Sequence, residues 1–265
     1  MNRLIKNQHG SHFYDQLASE YDQMMDWESR LHKETPFFEK VLRNYDVRSI
    51  LDVGCGTGRH CFFFSTLDVD KIVGIDPAAN VVQYAQSRAQ VSGAEIRFIE
   101  GALPNLTDYV TERFDLVCLL GNVLSNLITY DNLELTLKNL KRVLTPSGVI
   151  LIQMINWDAR IASRDRFFPP TGHTSTQGEK LFFRFFDFHD ELVTMNLVIF
   201  HSPGSQPRSW SNRILQTKLR PWRREIITMA LADTGFDLLQ EYGGTDLSEY
   251  SQNESPNYIF IAKPQ

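Results

Sequence analysis

The chain has 265 residues, enough for one large domain or one domain with an appended lid. Its hydrophobic share of 42% and charged share of 22% are those of ordinary globular proteins and exclude a disordered, collagen-like or coiled-coil chain. A net charge of −5 supplies no global positive field for a phosphate backbone, so nucleic acid is not an expected partner.

Met1 to Gly10 has no continuous apolar run of the kind a secretory signal needs. Tyr14 to Met25 and Leu31 to Asn44 read as helices of an N-terminal cap, residues 1–47. Arg48 to Val53 is a short β-branched run that enters a glycine-rich turn and a helix from Gly58 to Leu67. Lys71 to Ile75 is a second strand, ending at Asp76-Pro77. Proline suits a helix start, where its missing N–H is not needed. A helix to about Val91 follows, with Val81, Ala85 and Ala89 on one face.

Glu95 to Ile99 and Phe114 to Leu119 read as the third and fourth strands. Leu133, Leu137, Leu140 and Leu144 form a helical stripe over Asn132 to Leu144. Pro146-Ser147-Gly148 then predicts a turn into a fifth strand, Val149 to Met154. This alternation predicts an α/β fold of right-handed β-α-β units, with helices on both faces of a mostly parallel sheet.

The alternation stops at Trp157. Lys180 to His189, Leu192 to His201 and Ser211 to Leu219 are strand-like, with Asp190-Glu191 as a hairpin connection. They predict an antiparallel β lid over 157–220, with Ser202 to Ser209 a loop tip. The core is thus expected at 48–156 and 221–265, the latter with a helix from Arg224 to Asp233 and strands Phe236 to Glu241 and Asn257 to Ala262. The aromatic run Leu181 to Phe188 reads as a strand covered on both faces. A substrate-lining wall and an oligomer interface, as of a homodimer, remain alternatives. Lys218 to Arg224 is the one basic cluster and reads as a solvated face or an anion contact.

No stretch approaches a membrane span; Phe114 to Ile128 is interrupted by Asp115, Asn122, Ser125 and Asn126. Cys55, Cys61 and Cys118 are too few for a disulfide framework, no C-x-x-C occurs, and the histidines lack metal-ligand spacing. The expectations are a cytoplasmic protein with no metal and no membrane partner.

The chemistry concentrates in Asp52-Val53-Gly54-Cys55-Gly56-Thr57-Gly58. Glycines here allow a tight turn and close ligand approach, at the strand end where open α/β sheets bind ligands. Asp76, at the end of the second strand, can accept hydrogen bonds from both ribose hydroxyls of an adenosine. The G-x-G-x-G spacing differs from the G-x-G-x-x-G of a pyrophosphate turn.

These residues resemble motif I and the ribose acid of class I S-adenosylmethionine-dependent methyltransferases, whose seven-stranded sheet has its last strand antiparallel. Leu120-Gly121-Asn122-Val123-Leu124-Ser125-Asn126-Leu127 and Ile155-Asn156-Trp157-Asp158 resemble the L-G-N-S-x-x-H-L and R-N-Y-D stretches of the glycine/sarcosine N-methyltransferase group. Val123, Asn126 and Trp157 depart from the group's serine, histidine and tyrosine, which puts glycine in doubt as the acceptor.

The resemblance implies S-adenosylmethionine as cofactor, held by Gly54, Cys55, Gly56, Gly58, Asp76, Pro77, Leu120 and Asn122. It implies Arg30 on the cofactor carboxylate, as a guanidinium fits a carboxylate bidentately. Tyr21 would lie over cofactor and substrate, an electron-rich ring beside a sulfonium. Ala102 stands where many relatives place an acid for the adenine amino group, so backbone at Ala102 and Leu103 is expected to read the base. For catalysis, Asn122 is the candidate to orient the acceptor through its amide, with Tyr21 beside it and Asn156 a second. The expected reaction is methyl transfer to a small molecule, most directly an amine nitrogen. A small-molecule O-methyltransferase and a cofactor-binding module without catalysis are the alternatives.

Overall fold

The structure, a computed structural model, describes residues 8–204 and 209–265. Most of the Met1 to Gly10 stretch and the centre of the 202–209 loop tip lie outside the described residues.

The N-terminal cap is α1 (Gln8–Leu17), a 3-10 turn (Tyr21–Met24) and α2 (Trp27–Asn44). Asp26 caps α2 by accepting from the Ser29 N–H at 3.1 Å. Tyr14 to Met25 is therefore not one helix. The chain leaves α1 at Leu17 and re-enters as a tight turn whose Met24 is buried against the lid.

The core runs β1 (Ser49–Val53), α3 (Arg59–Phe64), β2 (Lys71–Asp76), α4 (Ala79–Ser92), β3 (Ile96–Glu100), β4 (Phe114–Leu119), α5 (Tyr130–Arg142) and β5 (Leu144–Ile155). Then come α6 (Trp157–Ser163), β6 (Thr171–Ser175), β7 (Gly178–Phe188), β8 (Val193–Ser202) and β9 (Ser211–Leu219). The core resumes with α7 (Arg224–Asp233), β10 (Phe236–Tyr242) and β11 (Asn257–Pro264).

Seven strands form one sheet in the order β10-β11-β5-β4-β1-β2-β3. Strands β1 to β5 are parallel, and β11 runs antiparallel to both β5 and β10. Strand periodicity divides the core into two layers. Leu51, Val117 and Leu119 point toward the leucine stripe of α5 and toward α7. Ile50, Leu116 and Cys118 point toward α2, α3 and α4. Each fully buried leucine of the α5 stripe contributes about 2 kcal/mol by leaving water.

Two expectations need correction here. Pro146-Ser147-Gly148 lies within β5, not in a turn before it, and the β4–β5 register shifts between Phe114 and Leu116 to accommodate it. Trp157 to Leu219 contains a helix and a strand not expected from the pattern, α6 and β6, both too short to show a period.

The lid is a four-stranded antiparallel sheet, β6-β7-β8-β9. Register places Phe182, Arg184 and Phe186 opposite Ile199, Leu197 and Met195 on its inner face. The outer face carries Leu181, Phe183 and Phe185; Leu181 is 37% exposed, so β7 is not covered on both sides. The basic cluster is a joint: Arg220 pairs with Glu191, Arg224 with Glu241, and the Trp222 indole N–H donates to the Leu127 carbonyl at 2.9 Å.

Candidate active site

The glycine loop leaves β1 with Gly54, Gly56 and Gly58 all at positive φ, which favours glycine at each. Their surroundings differ. A Cβ on Gly54 would lie 2.5 Å from Val123 Cγ2, and one on Gly58 would lie 2.6 Å from Phe98 Cζ. Those two glycines admit neighbouring protein side chains. A Cβ on Gly56 would meet only Tyr21 Cε1, at 4.0 Å, so its face is the open one.

Asp76 is buried beneath this loop. One carboxylate oxygen accepts from the Gly56 N–H at 3.0 Å and the other from the Ala78 N–H at 2.9 Å. Burial pushes its pKa up to about 6, against those two hydrogen bonds, and Asp52 and Asp15 add to the rise.

The 3-10 turn is tied down on two sides. Asp22 accepts from the Thr57 hydroxyl at 2.6 Å and from Arg59 Nε at 2.7 Å, which fixes Tyr21 beside Gly56. Glu20 pairs with Lys180 at 3.0 Å and with Arg213, both on the lid. Asp15 in α1 accepts from the Asn80 N–H at 3.0 Å and so closes the start of α4, where Ala78 has no capping side chain.

Between turn, lid and strand ends lies a cavity of about 370 Å³, lined among others by Tyr14, Tyr21, Arg30, Glu34, Asn122, Ile155, Phe168 and Arg184. Three residues singled out in the sequence meet there: Tyr21, Arg30 and Asn122. Arg30 Nε donates to Glu34 at 2.9 Å, and the other Glu34 oxygen meets His60 at 2.9 Å. Asn122 sits at φ 73°; its side-chain oxygen accepts from the Ser125 hydroxyl at 2.9 Å and the Ile155 N–H at 3.2 Å. Its amide can therefore offer an acceptor only N–H donors.

Asn156 is a correction. It is buried at the start of α6, where its oxygen accepts from the Tyr250 hydroxyl at 3.0 Å and the Ala159 N–H at 3.4 Å. Its nitrogen donates to the carbonyls of Ser251, Gln252 and Ser255. With every polar atom engaged, Asn156 is a structural cap and does not line the cavity.

Of the other candidates, Cys55 and Leu120 are buried, Ala102 and Leu103 are half-buried after β3, and Pro77 is exposed. Four residues of the site went unread: Tyr14, Asp22, Glu34 and Arg184. Arg184 had a signal in parity, as a cation set between Phe182 and Phe186 on the inner face of an aromatic strand.

Residues 50–148 match a family described as "Methyltransferase domain". The glycine/sarcosine N-methyltransferase of Aphanothece halophytica is 23% identical over 252 residues, covering 95% of this chain and 89% of that protein. The enzyme of the same name from Halorhodospira halochloris is 27% identical over 146 residues, covering 55% of this chain and 54% of its own length. Among solved structures, an S-adenosylmethionine-dependent methyltransferase from Clostridium acetobutylicum superposes with a TM-score of 0.74 at 16% identity, covering 97% of this chain and 98% of that one. The chain is a class I S-adenosylmethionine-dependent methyltransferase. It is an enzyme, so the non-catalytic alternative falls away.

The residues of this methyltransferase fit that cofactor. The open face at Gly56 and the carboxylate of Asp76 suit a sugar with two hydroxyl donors. Beside Arg30, whose guanidinium lies 4.9 Å from the Trp27 ring centroid, the buried Trp27 indole N–H has no partner among the described residues. A cation next to an unpaired donor suits a carboxylate. When bound, S-adenosylmethionine supplies an electrophilic methyl group on a sulfonium sulfur. Asp76 would hold its sugar and Arg30 its carboxylate, with Tyr21 and the lid keeping water away. Among the described residues, no group of His, Cys, Asp or Glu could hold a metal ion, and no helix is long and apolar enough to cross a membrane.

Proposed function

We propose that this methyltransferase transfers the methyl group to a nitrogen of a small molecule seated in the cavity between the strand ends and the lid. The observation that carries this reading is the state of the cavity's bases. Among the described lining residues, Glu34 is the only carboxylate, and it is committed to Arg30 and His60. Those partners hold its pKa low against the opposing effect of burial. Tyr14 and Tyr21 are pushed upward by burial and stay protonated.

A hydroxyl acceptor needs a base to take its proton as it attacks. An amine attacks as its neutral form, which burial favours without help. Two named relatives, both glycine/sarcosine N-methyltransferases, support nitrogen as the target.

The test is incubation with methyl-labelled S-adenosylmethionine and a panel of small amines matched to hydroxyl and carboxyl compounds of the same skeleton. Label is expected on nitrogen. Label recovered on oxygen, with the amines inert, would overturn the reading.

A further inference from the structure

We propose that Arg184 binds the methyl acceptor, and that the acceptor is an amphipathic acid: a carboxylate on this guanidinium and an apolar body along Phe168, Phe186, Met195 and Leu219. The inference deepens the nitrogen-methylation reading by naming the class of molecule that carries the nitrogen.

Arg184 projects from the inner face of β7 into the cavity. Among the described residues its guanidinium makes no hydrogen bond and no ion pair; it lies over the Phe168 ring, whose centroid is 5.0 Å away. The arginines around it are different. Arg160 has Asp165 at 2.6 Å, Arg220 has Glu191 at 2.9 Å, Arg166 has Asp187, and Arg213 has Glu20. The single cavity carboxylate, Glu34, is spent on Arg30 and His60. Burial works against the Arg184 charge and holds its pKa below the ordinary arginine value; Tyr21 and Tyr14 act the other way, and Arg30 and Arg160 add repulsion. A guanidinium does not escape such a site by losing its proton. A planar anion that accepts two parallel N–H bonds offsets the cost and restores local neutrality.

Position separates this cation from the one for the cofactor. Arg30 projects from α2 beside Trp27, whereas Arg184 projects from lid strand β7 beside Phe168, with Tyr21 in the field of both. An acceptor reaching it lies against Phe168, Phe186, Met195 and Leu219, which reward an aromatic or aliphatic body.

The test uses calorimetry on the full chain saturated with S-adenosylhomocysteine, with phenylacetate, phenylacetamide and phenyl phosphate as probes. Phenylacetate is expected to bind at least about tenfold more tightly than the amide. R184Q should abolish that preference, R184K should keep part of it, and R184Q should bind S-adenosylhomocysteine within about twofold of the parent.

Equal binding of acid and amide by the parent, or an acid preference that survives in R184Q, would sink the proposal. A large loss of S-adenosylhomocysteine affinity in R184Q would give the arginine to the cofactor instead. Stronger binding of phenyl phosphate than of phenylacetate would show the wrong anion. A parent chain that binds no S-adenosylhomocysteine would remove the methyltransferase reading first, and this inference with it.

Discussion

Asp76 is held by two backbone N–H groups and still titrates near 6, because burial outweighs them. Its folded pKa lies above the ordinary carboxylate value, so the native state binds the extra proton between about 4 and 6. Stability from this group is therefore lost as pH rises through about 6, by up to about 3 kcal/mol. With Asp76 as the acceptor for the sugar, cofactor binding should run the other way, since the ionised carboxylate is the stronger acceptor for two hydroxyls. S-adenosylhomocysteine affinity should fall roughly tenfold between pH 7 and pH 5. In Asp76→Asn it should be about tenfold weaker at neutral pH, with a flat profile and a more stable ligand-free protein. Calorimetry and thermal melts across that pH range check both signs. Asp76 and the glycine turn were legible because backbone geometry demands those residue types at those places. What one sequence could not separate was the three glycines: only coordinates show that Gly54 and Gly58 yield to Val123 and Phe98, leaving Gly56 open.

Among the elements, the short 3-10 turn carries more of the site than its four residues suggest. Asp22 reaches Thr57 and Arg59 on the far side of the glycine loop, and its side chain is only 13% exposed. Asp22→Ala leaves a partly buried arginine without its partner, at about 1–3 kcal/mol. S-adenosylhomocysteine should bind roughly tenfold or more weakly to this variant. Hydrogen exchange should show protection lost at Tyr21–Met24 while β1 keeps its own. The turn was illegible for a physical reason. Its apolar residues continue the spacing of α1, and the break at Ala18 depends on packing against a lid more than 150 residues away. In β5 the misleading signal was local: Pro146-Ser147-Gly148 has turn chemistry, but β4 holds it in the sheet as an irregularity.

Taken whole, the molecule shares apolar packing between parts that the sequence separates. Phe186, Val193 and Leu219 of the lid lie in the same buried cluster as Leu51, Leu119 and Ile152 of the sheet. The expected division into cap, core and lid thus does not predict independent melting. Calorimetry should show one cooperative transition. S-adenosylhomocysteine at a hundred times its Kd adds about 2.7 kcal/mol and should raise Tm by roughly 5–10 °C. Two separate transitions, with only one moved by ligand, would contradict the shared core. The doubly wound sheet was legible because each strand and helix announces its own period. The acceptor side was not, since Arg184 gains its meaning only when β7 is laid over the strand ends.

Glu20 and Asp22 stand two residues apart and pull in opposite directions, one toward the β lid and the other toward the glycine loop. Anything that settles the lid also steadies the seat of the cofactor, through a single stiff turn. Occupancy of either compartment should then tighten binding in its neighbour, and thermodynamic reciprocity makes that gain in affinity equal in the two directions.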